Sequence, residues 1–90
     1  MKDQVIPRFR LYVVADSPSG KRAIANFEQI RQALPGSRAE LEVVDILQHP
    51  SLADEDRILA VPTLLRVTPP RLRIIGDLSN LSNLKTVLGG

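Results

Sequence analysis

The sequence predicts an α/β fold in which a mixed β-sheet carries helices on both of its faces. Two stretches with the composition of β-strands are each followed by a helical pattern, and a short hairpin and a last helical pattern come after them. This order, βαβαββα, joins the first strands by helices and the last two by a turn, which is typical of a mixed sheet. The 90 residues are 43% hydrophobic and 24% charged, so we expect residues 1–90 to form one small globular domain.

The first strand and the first helix are predicted by the segment from Arg8 onward. Residues 8–14, RFRLYVV, are almost entirely apolar after Arg10, which is typical of a central strand covered on both faces. Ser17 is a good helix N-cap because Pro18 then takes the first helical position, where a missing N–H costs nothing. The apolar side chains that follow are spaced to form one buried helical face: Ala23, Ile24, Phe27, Ile30 and Leu34.

The second strand is predicted over residues 39–47, and it should run parallel to the first because a helix connects them. The helix after it is predicted to be short and to be capped at Ser51, since Ser51 and Asp54 have the spacing of a capping box. On this prediction Asp54, Glu55 and Asp56 lie in the first turn, where the helix dipole favours anions.

The last two strands are predicted over residues 62–67 and 71–75, and the three residues between them indicate an antiparallel hairpin. Arg71 and Arg73 alternate with apolar residues, so one face of the last strand is basic. A final helix is predicted to begin near Ser79.

The composition excludes several classes of function. The chain has no cysteine and one histidine, His49, which excludes disulfides, thiol catalysis and metal clusters built on thiolates or several histidines. We therefore expect no cofactor and no metal. A net charge of +2 and three aromatic residues argue against nucleic acid as a partner. No stretch approaches the roughly 20 apolar residues that cross a membrane, and the N-terminus lacks a signal peptide's apolar segment, so a cytoplasmic protein is expected.

Two segments resemble thioredoxin-like proteins. In that family a strand–turn–helix junction carries two cysteines, whereas here the turn is Asp16-Ser17-Pro18-Ser19. Val61-Pro62-Thr63 stands where the family has its proline loop, after βαβα and before a hairpin. The resemblance implies a thioredoxin-like domain without redox chemistry, in which the Val61–Pro62 bond is cis.

A more specific resemblance covers most of the chain, from about Leu11 to Asn80. The segments LYVVADSPSGKRAI, LEVVDILQHPSLADEDRILAVPTLLRVTPP and RIIGDLSN are similar, in order and almost without gaps, to the KaiB family of circadian clock proteins. The resemblance implies a non-enzymatic adaptor that binds the hexameric ATPase KaiC and regulates its phosphorylation cycle. It also implies that the adaptor sequesters a KaiA-like protein or displaces a KaiB-like sensor kinase.

The same resemblance implies two folds for one sequence. One is a ground state with a rearranged C-terminal half, which tends to form homo-oligomers. The other is a thioredoxin-like state that binds KaiC as a monomer. The order βαβαββα corresponds to the thioredoxin-like state, and the KaiB ground-state fold is the alternative.

Four arginines stand where the KaiB family tends to carry basic side chains: Arg22, Arg57, Arg66 and Arg73. If they converge, they would meet an acidic surface on an ATPase ring. Such charges speed the association and fix the relative orientation of the two proteins more than they raise the affinity. The alternative for each is a solvated arginine on an exposed face.

A second function is left open by the thioredoxin resemblance, namely a glutathione-binding domain. In glutathione transferases a serine at the start of the first helix activates glutathione and a cis-proline loop holds its backbone, and Ser17 and Pro62 match these roles. Those enzymes append a helical domain that completes the second substrate pocket, and the sequence has none after Gly90. The role of Ser17 as a helix N-cap is therefore favoured.

Overall fold

The computed structural model describes residues 6–33 and 39–79, which form a four-stranded sheet and two helices. The elements are β1 (Arg8–Val13), α1 (Pro18–Ala33), β2 (Glu40–Asp45), α2 (Pro50–Glu55), β3 (Thr63–Arg66) and β4 (Leu72–Ile75). They follow the predicted order as far as β4. The predicted last helix, after Ser79, lies outside the described residues. Within the described ranges, no helix is both long and apolar enough to span a membrane.

β1 is a central strand of the sheet, whose order is β2-β1-β3-β4. It pairs in parallel with β2 over six residue pairs, with Leu11 opposite Val43. On its other side it pairs antiparallel with β3, with Leu11 opposite Leu64. β3 and β4 form the predicted antiparallel hairpin. The prediction of a covered central strand is confirmed, since Leu11, Tyr12 and Val13 have no exposed surface.

One face of the sheet packs against α1 and forms the larger part of the core. The buried side chains of this cluster include Phe9, Leu11, Val13 and Leu64 from the strands and Ala23, Phe27 and Ile30 from the helix. The rings of Phe9 and Phe27 meet edge to face, with centroids 5.6 Å apart, which is a preferred aromatic geometry. The predicted buried face of α1 is confirmed up to Ile30, and Leu34 lies outside the described residues.

The opposite face of the sheet is covered by α2 and the segment after it. Tyr12, Val44 and Leu65 are buried there, and the half-buried side chains packed against them include Leu52, Ala53 and Ile58. The two helices therefore cover opposite faces, as predicted. The second cluster is small, and α2 has no fully buried residue.

The start of α1 forms as the sequence predicts. The Ser17 hydroxyl accepts a hydrogen bond from the Gly20 N–H at 3.0 Å and donates to the Val14 carbonyl at 2.7 Å. A Cβ atom at residue 20 would lie 2.5 Å from the Val14 carbonyl oxygen, so the close approach that makes this cap requires glycine.

The predicted capping box of α2 is wrong. The helix begins at Pro50, its N-cap is His49, and no side chain caps it. Proline is preorganised for the first helical position, and this places Ser51 inside the helix. The acidic residues consequently lie at the other end, with Asp54 and Glu55 in the last turn and Asp56 as the C-cap.

Two X-Pro peptide bonds are cis in the described residues, Val61–Pro62 and Pro69–Pro70. The first lies immediately before β3.

Candidate functional site

The four arginines singled out in the sequence do not form one surface. Arg73 lies opposite Leu65 across the β3–β4 pair, so it shares the face that α2 covers. Arg66 lies opposite Phe9 and therefore faces α1. Arg22 is on α1 itself, and Arg57 follows α2. Arg73 contacts Arg57, since its guanidinium donates a hydrogen bond to the Arg57 carbonyl.

Arg57 lies immediately after the C-cap of α2, in a left-handed backbone conformation with φ of 55°. The Ile58 N–H donates to the Ala53 carbonyl at 2.9 Å, and the Arg57 N–H donates to the Asp54 carbonyl at 3.1 Å. These two bonds form a Schellman motif, in which the left-handed position is usually glycine. Ile58 and Ala53 both pack on the cluster beneath α2. The side chain of Arg57 is exposed.

Arg73 fixes the end of the same helix. Its Nη1 donates to the Arg57 carbonyl and its Nη2 to the Asp56 carbonyl, both at 2.9 Å. These carbonyls lie at a helix C-terminus, where a cation also meets the negative end of the helix dipole. Arg73 is therefore a structural support for the segment that carries Arg57.

Arg22 joins α1 to the segment after β4. Its Nε lies 2.9 Å from Oδ2 of Asp77, and Asn26 donates to the Asp77 carbonyl at 2.8 Å. The hydrogen bond from Arg22, together with one from Ser79, holds the pKa of the Asp77 carboxyl below its ordinary value.

Arg66 is buried, with 7% of its surface exposed. Its guanidinium carbon lies 5.9 Å from the centroid of the Phe9 ring, which is within the range of a cation–π contact. The structure thus places Arg66 in the packing between the sheet and α1, away from the exposed surface around Arg57.

The sequence reading missed a polar cluster under α2, formed by Arg10, Tyr12, Glu42 and Asp56. Arg10 Nη1 lies 3.1 Å from Asp56 Oδ2, and Arg10 Nε lies 3.0 Å from Glu42 Oε1. The Tyr12 hydroxyl donates to the Asp56 carboxylate and also lies 3.2 Å from the Leu52 carbonyl oxygen. The alternation of Arg10 and Tyr12 with apolar residues in β1 was a signal that this face of the strand carries polar groups.

These contacts set the ionisation of the cluster. Burial by itself raises the pKa of Asp56, but hydrogen bonds from Tyr12 and Arg10 and the charges of Arg10 and Arg71 hold that pKa below its ordinary value. The pKa of Tyr12 is raised, first by burial and then by its hydrogen bond to Asp56. The cluster therefore holds an ionised Asp56 beside a neutral Tyr12, and it attaches α2 to β1.

Several large apolar side chains are exposed in the described residues. Leu59 is 95% exposed and Ile75 is 66% exposed, while Leu47 is 72% exposed. Leu59 lies between α2 and β3, and Ile75 ends β4. Leu47 follows β2, at the opposite edge of the sheet.

The Ser17 hydroxyl is committed to the backbone. Its proton is donated to the Val14 carbonyl and it accepts from the Gly20 N–H. A serine that activates glutathione would donate this proton to the thiolate, so the observed contacts correspond to the N-cap role.

The chain matches a known family over most of its length. The family model named KaiB domain matches residues 10–89. Circadian clock protein KaiB3 of Synechocystis sp. is 42% identical over 81 residues, which cover 89% of this chain and 78% of that protein. Circadian clock oscillator protein KaiB of Prochlorococcus marinus is 44% identical over 79% of this chain and 62% of that protein. Its counterpart in Trichodesmium erythraeum is 47% identical over 79% of this chain and 69% of that protein.

Solved structures with similar folds are thioredoxin-like. The N-terminal domain of SasA from Synechococcus elongatus has a TM-score of 0.76 at 19% identity, covering 98% of this chain and 87% of that domain. Chloroplastic thioredoxin z has a TM-score of 0.76 at 20% identity, covering 92% of this chain and 75% of that one. Glutathione transferase Omega 2S from Trametes versicolor has a TM-score of 0.57 at 17% identity, covering 94% of this chain and 38% of the enzyme.

The structural similarities establish the thioredoxin-like fold, and the sequence similarities establish the family. Because the family model spans residues 10–89 and the relatives named above are 42–47% identical, the chain belongs to the KaiB family of circadian clock proteins.

Proposed function

We propose that the chain is a non-enzymatic clock adaptor that binds a KaiC-type ATPase ring and regulates its phosphorylation cycle. The observation that carries the proposal is the KaiB match over residues 10–89 in a chain with a thioredoxin-like fold. The family resemblance associates this fold with the state that binds the ring.

The polar side chains described above make structural hydrogen bonds, which supports a binding role. Ser17 caps a helix, and Asp56 and Tyr12 hydrogen-bond to each other under α2. Exposed arginine and leucine side chains remain around the end of α2. A protein that binds one nucleotide state of a ring more tightly than another shifts the ring toward that state, so an adaptor can change the ATPase cycle without reacting chemically.

The proposal includes further partners and a second fold. On the ring the adaptor is a monomer that sequesters a KaiA-like protein or displaces a KaiB-like sensor kinase. When free, it also adopts a packing in which the C-terminal half is rearranged and forms homo-oligomers. Slowly exchanging NMR peaks from that half would support the second packing, and a single set of peaks would contradict it.

The test is reconstitution with the KaiC-type ATPase of the same organism. The full chain and the ATPase are mixed with ATP or with ADP, and the complex is followed by size-exclusion chromatography with light scattering. We expect a complex whose amount depends on the nucleotide, together with a changed time course of ATPase phosphorylation. Absence of a complex with either nucleotide, while the chain alone is folded by circular dichroism, would overturn the proposal.

The glutathione-binding alternative remains a prediction from the sequence. Among the described residues, the Ser17 contacts give it no support. Retention on glutathione agarose that free glutathione reverses would revive it.

A further inference from the structure

We propose that copies of this chain associate head to tail through the two edges of the sheet, with β4 of one copy pairing in parallel with β2 of the next. The partner is a second copy of the same chain. The contact uses the thioredoxin-like packing described above, so it differs from a homo-oligomer with a rearranged C-terminal half. It also goes beyond ring binding, since it requires no ATPase.

Both outer edges of the sheet carry backbone groups that are able to pair with a further strand. Within the described residues the sheet order is β2-β1-β3-β4, so β2 and β4 each pair with one strand. The N–H groups of Glu40 and Ile46 donate to carbonyls on the β1 side of β2. Because successive N–H groups of a strand alternate in direction, those of Leu41 and Val43 point outward.

β4 has the same arrangement at the opposite edge. The Gly76 N–H donates to the Pro62 carbonyl on the β3 side, so by the same alternation the N–H and C=O groups of Arg73 and Ile75 point outward. β4 also runs in the same direction as β2, because β2 is parallel to β1 and two antiparallel pairings lie between β1 and β4. A second copy placed beside the first therefore continues the sheet with every strand direction and both faces preserved.

The pairings within the sheet determine which residues of the two edges are level with each other. Arg10 lies opposite Glu42 on one side and Leu65 on the other, and Leu65 lies opposite Arg73. Arg73 is thus level with Glu42 in the same chain. When the next copy is placed without a shift along the strands, Arg73 of one copy lies beside Glu42 of the other. Its outward backbone groups then face those of the two residues that flank Glu42, as parallel pairing requires.

The side chains of the two edges are complementary in this register. Residues 71–74, RLRI, are level with residues 40–43, ELEV. Each arginine then meets a glutamate on the α2 face, and each apolar residue meets an apolar residue on the α1 face. Such pairs stabilise neighbouring strands, and a shift of two residues would lose one of the two charge pairs.

The charged side chains at these edges are accessible to a neighbouring copy. Glu40 and Glu42 lie 3.6 and 3.0 Å from Arg8 and Arg10 of their own chain, but their side chains remain 61% and 59% exposed. A carboxylate has enough acceptor sites for a second guanidinium, and Arg71 is exposed at the other edge. Charges of one sign on edge strands keep copies apart, whereas here the two edges carry opposite signs.

The first test reverses the charges of one pair in the full chain, without the ATPase. Sedimentation velocity is measured over a series of protein concentrations. We expect the mean mass of the wild type to rise past that of a dimer, because a head-to-tail contact leaves both ends open. Glu40→Lys and Arg71→Glu each place like charges opposite each other, and each should raise the concentration for half assembly by about fivefold or more. The double variant restores the opposite charges and should assemble as the wild type does.

An equimolar mixture of the two single variants checks the pairing independently. The introduced lysine of one variant meets the introduced glutamate of the other, so the mixture should assemble although neither variant does so alone. A wild type that is monomeric up to about 1 mM would overturn the inference. So would a fixed mass that the variants do not change, or a loss that neither the double variant nor the mixture restores. These outcomes leave ring binding untouched.

The second test separates backbone pairing from charge attraction. Val43→Pro removes an outward N–H group from β2, and Val43→Ala shortens the same side chain but keeps that group. Proline is tolerated on an edge strand where its N–H would face solvent, so both variants should remain folded by circular dichroism. We expect Val43→Pro to raise the concentration for half assembly by about tenfold relative to Val43→Ala. Equal assembly of the two variants would contradict pairing through the edge of β2.

Discussion

The carboxylate of Asp56 accepts hydrogen bonds from two side chains of β1 and thereby connects the C-terminal end of α2 to this central strand. Arg10 and Tyr12 of β1 both donate to its Oδ2 atom, and 17% of its side chain is exposed. A half-buried carboxylate whose hydrogen bonds are satisfied in this way stabilises the fold, whereas removal of its charge leaves Arg10 with Glu42 as its remaining partner in this cluster.

The stability of the chain should therefore depend on the ionisation of Asp56. Its pKa is lower in the folded state than in the unfolded chain, so the stability it contributes is present above the ordinary carboxyl pKa and is lost as the pH falls toward the folded value. We expect Asp56→Asn to lower the free energy of unfolding at pH 7 by about 1–3 kcal/mol and to flatten its decrease below about pH 5. Urea unfolding, followed by the fluorescence of Tyr12, the only tyrosine in a chain without tryptophan, measures both effects.

The control for this prediction is Asp54→Asn, which removes an exposed carboxylate from the last turn of the same helix. It should change stability at pH 7 by less than about 0.5 kcal/mol. Equal losses in the two variants would show that the net charge of the helix, and not the contacts of Asp56, is responsible.

Two residues show which features of the site could not be predicted from the sequence. Arg66 was grouped with three other arginines because all four stand where the KaiB family tends to carry basic side chains, but the register of β3 against β1 places it on the α1 face beside Phe9. The polar cluster was missed because Asp56 is 46 residues from Arg10, and no local pattern links them. The face on which an arginine lies is decided by long-range pairing.

The two helices differ in how completely local signals determine their ends. At α1, Ser17 and Pro18 indicate the same start, and the structure agrees. At α2, Ser51 indicates one start and Pro50 another, and the proline prevails because its fixed φ suits the first helical position. Short helices carry few apolar positions, so their ends are not fixed by periodicity.

The two serines provide a test at the level of these elements. Ser17→Ala removes the hydroxyl that accepts from the Gly20 N–H, and we expect it to lower the free energy of unfolding by about 1 kcal/mol. Ser51→Ala removes a hydroxyl that was predicted to cap α2, whereas the N-cap is His49, so stability should change by less than about 0.5 kcal/mol. Chemical denaturation of both variants decides between the two assignments, and a larger loss in Ser51→Ala would contradict the structure.

In the molecule as a whole, the two faces of the sheet are stabilised by different means. The α1 face has a cluster of large buried side chains with an aromatic pair, whereas α2 has no fully buried residue and depends on the Asp56 contacts and on Arg73. Regions with little apolar burial open at lower free energy than the core.

Hydrogen exchange should show this difference directly. We expect the amides of Asp56, Arg57 and Ile58, which donate within α2 and its C-cap, to exchange much faster than those of Leu11 and Phe27 in the core. Arg73→Met should accelerate exchange at residues 56–58 further and leave the core amides nearly unchanged. Uniform protection across these amides would contradict the view that α2 is a separately opening unit.

The position of β1 in the sheet has a consequence for synthesis on the ribosome. Its partner on one side, β2, begins at Glu40, whereas its partner on the other side, β3, begins at Thr63 and joins it over four residue pairs. A nascent chain can therefore complete the β1–α1–β2 unit while the second edge of its first strand is still uncovered. During that interval the unpaired edge of β1 can hydrogen-bond to any extended segment. It is covered only when β3 has been synthesised and has paired with β1 over its four residue pairs.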